Sequence, residues 1–346
     1  MKHDLILYIG NKLAAHGVNP TGVDELGSRL KKEFPIVRVS DQTNRFWRLA
    51  EMLQTLWRYR NKSCVILIDT YSTANFYYAV AVAALARKFK IPYIPILHGG
   101  NLPERLQKSP RLSQKLFGQA AVNVAPSGYL QESFDKAGYK AIYIPNTLDI
   151  GEYPFVLRQR VRPRFLYVRA FSRLYNPQLL IEAFAQIHDR YPDARLCMVG
   201  PDRDGTLAAV KSRAWELGLE EATEFPGRLS KAAWHDLSKE YDIFVNPTTV
   251  DNTPLSVIEA MALGLPVIST AVGGIPWLIR NGEEGLLVPS NDVKAMAGAM
   301  ERLVEDPDFA AQLSRNARRK AESFDWESSV KGRWIELLKE LNCVPL

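Results

Sequence analysis

The sequence predicts a two-domain α/β protein in which parallel sheets are wrapped by helices on both faces. Three observations predict it. The chain has 346 residues, more than twice the roughly 150 of a typical domain. Apolar strand-like runs alternate with helical patterns almost throughout, the order that builds doubly wound sheets. The alternation breaks once, near residues 151–163, where GEYPFVLRQRVRPRF carries prolines and mixed charge and marks a domain boundary.

In the first half DLILYIG, CVILID and YIPILHG read as strands. Between the last two, TANFYYAVAVAALARKF is apolar on most sides and long enough for a buried helix, which completes a βαβ unit. AAVNVAPS and AIYIPN close this half. After the break, RFLYVRA, ARLCMVG, TEFPG, DIFVNPT, PVIST and EGLLVP follow with helical segments between them, a second doubly wound domain. The last helical segment carries an apolar stripe of Val330, Trp334, Leu337, Leu338 and Leu341. The division is therefore 1–152, 153–324, and a C-terminal helix over 325–346 able to pack back on the first domain.

Composition excludes several classes. Hydrophobic residues make up 47% and charged residues 24%, the range of ordinary globular chains rather than disordered or fibrous ones. The apolar run Tyr77–Ala86 is far shorter than the roughly 20 residues that span a bilayer. MKHDLILYIG lacks the pattern of a secretory signal, so a cytoplasmic protein is expected, peripheral to the membrane at most. Three widely spaced cysteines agree with that location, and Cys64 and Cys197 sit in strand-like runs and read as core filler. No zinc-ligand spacing is present, and no metal site is expected. Residues 1–150 hold 20 Lys+Arg against 11 Asp+Glu, a net of +9. That balance favours an anionic partner, although a solvated basic face without function is the cheaper reading. Nucleic acid is set aside because no recognition motif accompanies the charge.

The stretch VDNTPLSVIEAMALGLPVIST carries the chemistry. Thr253 is a natural N-cap and Pro254 suits the first helical position, so a helix is expected from here to just before Gly264. The free N–H groups of Leu255 and Ser256, with the positive end of the helix dipole, suit a phosphate or diphosphate. They follow the strand DIFVNPT, at the carboxyl end where doubly wound sheets bind ligands. Glu259 lies one turn on, leaning back toward the helix start, where its carboxylate can take both hydroxyls of a ribose. Asp251 offers a second carboxylate to sugar hydroxyls. A plain helix start with an acidic residue is the blander reading.

This stretch resembles the glycosyltransferase family 4 signature, an E-x(7)-E element followed by EAMA-x-G-x-PV, with Asp251 in place of the first Glu and Glu259 as the second. The likeness continues through STAVGGIPWLI, CMVGPD, EFPGRLS, ILHGG, VAPSGYL, YIPNTLD and NPTGVDELGSRL. It implies the GT-B type, two facing Rossmann-like domains with a cleft between them, the first binding acceptor and the second a nucleotide-diphosphate sugar. It further implies transfer with retention of anomeric configuration, without a metal ion or any cofactor beyond the donor substrate. Glu259 matches the ribose-binding Glu, Asp251 the sugar-contacting carboxylate, and Leu255 and Ser256 the phosphate-facing amides. His98 matches a histidine contacting the donor sugar, Gly227 and Arg228 the base-contacting pair, and Thr21 and Gly22 the first-domain loop near the diphosphate.

One departure stands out. The family's Arg and Lys that neutralise the leaving diphosphate align with Ala170 and Tyr175. Arg169 and Arg173 are displaced from those places and are expected to substitute, because charge develops on the leaving group and must be met. Asp202 and Asp204, a D-x-D pair, read as turn residues. The expected function is sugar transfer to a glycan or lipid-linked acceptor in surface polysaccharide or glycolipid assembly. The alternative is a catalytically impaired subunit of this type that binds nucleotide or a partner. Around Asn44–Lys62 five basic residues interleave with Phe46, Trp47, Trp57 and Tyr59. A helix there with Phe46, Leu49, Leu53, Leu56 and Trp57 on one stripe packs on a core or lies on an anionic membrane surface.

Overall fold

The computed structural model describes residues 4–12 and 21–346. The chain forms two compact units, Met1–Thr147 with Glu327–Leu346, and Leu148–Trp326. The first boundary thus precedes the proline-containing stretch, and residues 325 and 326 stay with the second unit.

The first unit holds six parallel strands: β1 (Leu5–Ile9), β2 (Ile36–Val39), β3 (Ser63–Tyr71), β4 (Tyr93–His98), β5 (Asn123–Ala125) and β6 (Ala141–Tyr143). Their order is β2-β1-β3-β4-β5-β6, so the order reverses beside β1 and β3, where such sheets bind ligands. β3 is buried from Ser63 to Thr70, as expected of a continuous apolar run covered on both faces. The helix Asn75–Lys88 lies on it and buries Ala79, Val82, Ala83 and Ala86. β2 was not read as a strand, since IVRV is short and only Val39 of it is buried.

The second unit holds β7 (Arg164–Val168), β8 (Arg195–Val199), β9 (Thr223–Gly227), β10 (Ile243–Asn246), β11 (Val267–Thr270) and β12 (Leu286–Val288), all parallel, in the order β12-β11-β10-β7-β8-β9. Two cores flank this sheet. Phe165, Tyr167, Leu196, Met198, Ile243 and Val245 enter one, while Leu166, Cys197, Val199 and Phe244 enter the other. That split follows the two-residue period of a strand. The order reverses between β7 and β10, and the loops after these strands carry the site.

Two expectations are corrected. Cys64 is not simple core filler: it is disulfide-bonded to Cys343, 279 residues away, and only Cys197 is a free buried thiol. The pairing arises because the last helix, Lys331–Glu340, returns to the first unit, burying Trp334, Leu337 and Leu338. The helix Arg45–Tyr59 buries Arg48, Met52 and Leu56; of the expected stripe Leu56 is buried and Leu49 and Leu53 partly so, whereas Phe46 and Trp57 face out. Arg48 is drawn inward because its guanidinium donates to Gln42 O, Thr43 O and Asn11 Oδ1. Phe46, Trp47 and Trp57 are 86%, 69% and 57% exposed, with the Arg60 guanidinium 4.6 Å from the Trp57 ring. No helix among the described residues is long and apolar enough to cross a membrane.

Candidate active site

In the second unit the signature helix spans Leu255–Ala262, with Pro254 rather than Thr253 at its N-cap. It begins one position later than expected, and the Thr253 hydroxyl is buried without a hydrogen-bond partner among the described residues. Pro254 O accepts the first helical bonds, from Val257 and Ile258 N–H. The N–H groups of Leu255 and Ser256 therefore face outward along the helix axis, as the first N–H groups of any helix do, and the Ser256 hydroxyl is likewise buried without a partner. Donor groups of this kind at a helix start are complementary to an anion.

Glu259 is 6% exposed. Its Oε1 accepts from Tyr153 Oη at 2.8 Å and lies 3.6 Å from Lys231 Nζ. Lys231 also stands 4.7 Å from the Tyr153 ring centre and pairs with Glu152 at 3.3 Å. This surround fixes the orientation of a buried carboxylate. Beneath it, the ring of His235 packs on Tyr153 with centroids 4.7 Å apart, and burial, with Lys231 nearby, holds that imidazole down to a pKa of about 4. Gly227 ends β9 with φ +77° and accepts from Gly200 N–H at 2.9 Å; Arg228 beside it is exposed.

Of the two candidate clamp arginines, the structure brings only Arg169 into the cluster. Its guanidinium pairs with Asp251 and lies 4.0 Å above the Tyr175 ring. Tyr175 occupies the expected lysine position, so an aromatic face supports the cation where a second cation was anticipated. Arg173 is exposed; its backbone N–H donates to Asp204 Oδ2 at 3.1 Å. Asp202 and Asp204 are turn residues, accepting from Gly205 N–H and from Thr206 N–H. Burial pushes the Asp251 carboxyl above its ordinary pKa, opposed by Arg169 and by the Asn252 N–H.

Glycines make this packing possible. A Cβ on Gly273 (φ +52°) would stand 2.0 Å from Asp251 O, and one on Gly274 would stand 2.1 Å from Asn252 O. The GGI turn thus presses on the backbone that carries Asp251, with Gly274 N–H donating to Asp251 O at 3.0 Å. On the other side a Cβ on Gly200 would overlap Arg169 O.

The first unit gathers a separate group. His98, the last residue of β4, donates from Nε2–H to Asp69 Oδ1 over 2.8 Å, and its ring stacks on Tyr71. Tyr8 Oη donates to the same oxygen at 2.9 Å. Gly22 opens the helix Gly22–Leu30, and a Cβ there would meet Tyr8 Oη, Asp69 Oδ1 and His98 Cε1 within 3.2 Å. Thr21 caps that helix, its N–H donating to Asp24 Oδ2 and its hydroxyl to Asn11 O. Sequence reading found His98, Thr21 and Gly22 but missed Asp69, Tyr8 and Tyr71. A charge within the apolar run CVILID was the available signal for Asp69. Tyr153, Lys231 and Tyr175 were missed as well, and nothing local marks them. Among the described residues no group of three His, Cys, Asp or Glu is placed to hold a metal ion.

Two six-stranded parallel sheets with ligand-ready loops at their switch points define the GT-B class of glycosyltransferase folds. Residues 152–320, which lie within the second unit, match the family "Glycosyl transferases group 1". HepE from Anabaena in complex with UDP and glucose has the same fold, with a TM-score of 0.76, 19% identity, and 98% of this chain and 100% of that chain covered. Sucrose-phosphate synthase from Thermosynechococcus elongatus does too, at TM-score 0.76, 19% identity, and 98% and 99% coverage. Among curated proteins, D-inositol 3-phosphate glycosyltransferase of Rhodococcus erythropolis is 33% identical over 190 residues, 54% of this chain and 41% of its own. That of Corynebacterium urealyticum is 29% identical over 184 residues, 52% and 43%. The chain spans less than half the length of these relatives.

Proposed function

We propose that the protein is a retaining glycosyltransferase that moves a sugar from a nucleotide-diphosphate donor to a glycan or lipid-linked acceptor, in surface polysaccharide or glycolipid assembly. The observation that carries this reading is the second unit's cluster: outward N–H groups of Leu255 and Ser256, a buried Glu259 one turn later, and Arg169 steadied by Asp251 and Tyr175. Helix dipole and guanidinium together take up the charge that develops on a leaving diphosphate, worth several kcal/mol (about 3) in such sites. Glu259 holds the ribose diol, and Gly227 and Arg228 border the base. No metal ion is required on this account, so turnover persists in excess EDTA. UDP-glucose is the first donor to test, given the UDP complex of HepE. Calorimetry with UDP, GDP and ADP, followed by NMR of the product anomer, decides donor and stereochemistry; an inverted anomer overturns the retaining assignment.

A second reading is favoured by one observation. Arg169 already spends its charge on Asp251, and Arg173 faces solvent. A subunit that binds nucleotide without turnover would show tight nucleotide affinity and no transfer from any donor.

The acceptor side includes an anionic membrane surface, met by the helix Arg45–Tyr59 with its exposed Phe46, Trp47 and Trp57 and neighbouring arginines. Each Lys or Arg near such a surface contributes about 1 kcal/mol. Flotation with anionic vesicles at low salt is expected to recover the protein, and replacing Arg58, Arg60 and Lys62 by Gln to release it. Equal recovery with neutral vesicles would argue for a soluble acceptor.

A further inference from the structure

A pocket of about 290 Å³ opens at the amino end of the first sheet, where β3 begins and where the chain runs from the helix Asn75–Lys88 into β4. It lies at the opposite end of β3 from Asp69. Its volume is close to the roughly 300 Å³ at which small-molecule sites begin. Cys64, one half of the cystine, forms part of its wall, and Cys343 does not. The two half-cystines are only 6% and 2% exposed. A reagent therefore meets this cystine through the pocket, from the Cys64 side.

Arg60 and Lys90 border the pocket, and neither pairs with a carboxylate among the described residues. Arg60 Nη1 donates to Trp57 O at 2.6 Å, and its guanidinium lies 5.8 Å from the Phe89 ring. Lys90 sits just past a helix end in the left-handed region, φ +58°. Its N–H donates to Arg87 O and that of Ile91 to Ala86 O, a helix ending that favours glycine, which has no Cβ to accommodate. Lysine gives up that backbone ease and sets a second positive charge beside the cystine. Leu341 and Asn342 complete the wall. Asn342, φ +62°, ends the helix Lys331–Glu340 in the same way and adjoins Cys343. The cystine thus pins the segment that closes the pocket.

We propose that the Cys64–Cys343 cystine is a thiol-exchange site for small anionic thiols of the glutathione type, which enter by this pocket and free the C-terminal segment. The thiolate attacks Cys64 Sγ. A new S–S bond forms there as the bond to Cys343 breaks, and the electron pair leaves on Cys343 Sγ, which takes a proton from water. A second thiolate attacks the mixed disulfide and leaves as the symmetrical disulfide, with Cys64 returned as a thiol. Two thiols are oxidised and one cystine is reduced. Arg60 and Lys90 concentrate the anionic reagent and receive its carboxylates. Trp334, Leu337 and Leu338 stay packed, and Lys331 keeps its 2.7 Å pair with Glu33. Exchange therefore loosens the chain beyond Leu338 and leaves the sheet folded.

The test follows opening of the cystine in the full chain by mass spectrometry of thiols alkylated at successive times. Glutathione and its diethyl ester carry the same thiol and differ in charge. Each rate is divided by that reagent's rate with hydroxyethyl disulfide, which removes intrinsic reactivity. At low salt glutathione is expected to open the cystine about tenfold faster than the ester on this scale, the difference fading at high salt. Peptide mapping is expected to find the mixed disulfide on Cys64. Lys90→Gly, which supplies the residue that a left-handed helix end prefers, keeps the melting temperature and loses most of the difference. Equal normalised rates would leave the two cations as partners of the helix ends and overturn the proposal. So would a mixed disulfide found only on Cys343, or opening no faster than hydrogen exchange shows the first unit to unfold.

Discussion

Replacing Arg169 by Ala tests the most consequential contact in the second unit. In the parent, Asp251 and Arg169 expose only 12% and 15% of their side chains to solvent and are paired. Removing the guanidinium leaves the carboxylate with the Asn252 N–H at 3.0 Å as its remaining hydrogen bond. Breaking a buried pair from one side costs roughly 3–5 kcal/mol, and the residual exposure places this one near the lower end, about 3 kcal/mol. The loss depends on pH. Burial already raises the Asp251 pKa in the folded protein, and Arg169 opposes that rise. Without Arg169 the pKa climbs further, so the folded variant binds a proton more tightly than the unfolded chain does. Its deficit is therefore largest near neutrality and shrinks as the pH falls toward the ordinary carboxyl range. Hydrogen exchange of β7 and β10 amides, corrected for intrinsic rates, reads this unit alone and avoids assuming that the whole chain unfolds in one step. About two orders of magnitude of protection should vanish at neutral pH, with part returning on acidification and in the Arg169→Ala/Asp251→Asn double variant. A loss that is independent of pH, or below about 1 kcal/mol, would refute the view that Arg169 keeps Asp251 charged.

Glu259→Ala is expected to weaken nucleotide binding by roughly 2–4 kcal/mol, because a ribose diol loses its acceptors, and Tyr153→Phe by about 1 kcal/mol through loss of the bond that orients the carboxylate; calorimetry that shows unchanged dissociation constants removes Glu259 from the site. His235 is held neutral by burial, with its pKa lowered from 6.5 to about 4. The unfolded chain takes up a proton below 6.5 while the native state does not, so stability falls as pH drops from 6.5 to about 4, by at most about 3 kcal/mol. His235→Phe should flatten that slope in denaturation curves; an unaltered slope assigns it to other groups. Thiol titration in denaturant without reductant should find one reactive cysteine, Cys197, and three after reduction. Three before reduction would mean that Cys64 and Cys343 are not joined.

Much of the second unit is legible in its residues because its strands are continuous apolar runs separated by well-marked helices. Val267–Thr270 and Leu255–Ala262 fall where PVIST and the Pro254–Gly264 interval place them. The start of that helix was readable to within one residue, since proline, periodicity and glycine are local signals. Tyr153 was not, because its meeting with Glu259 spans 106 residues and no local pattern encodes it. The helix Arg45–Tyr59 misled for a different reason. Hydrophobicity places Phe46 and Trp57 inward, yet Arg48 is buried because three loop acceptors satisfy it, an outcome decided by polar partners rather than by apolar spacing. Cys343 lies beyond any strand-like run, and its partner is set by where the chain returns, not by cysteine spacing.

That return has a consequence for how the molecule could be built and rebuilt. The second unit is contiguous, whereas the first is finished only by Glu327–Leu346. On the ribosome, residues 148–326 can complete their fold while the earlier-made unit still waits for Trp334, Leu338 and the Cys343 thiol. Where the chain leaves and re-enters, Leu148 and Trp326 share a hydrogen bond of 3.0 Å. Topologically, the second unit is an insert whose two ends lie together, the arrangement that domain exchange tolerates best. A different domain of this fold spliced between Thr147 and Glu327 would leave every strand of the first sheet and its cystine intact. The same splice closed by a short linker would release the first unit as a protein able to fold without the second.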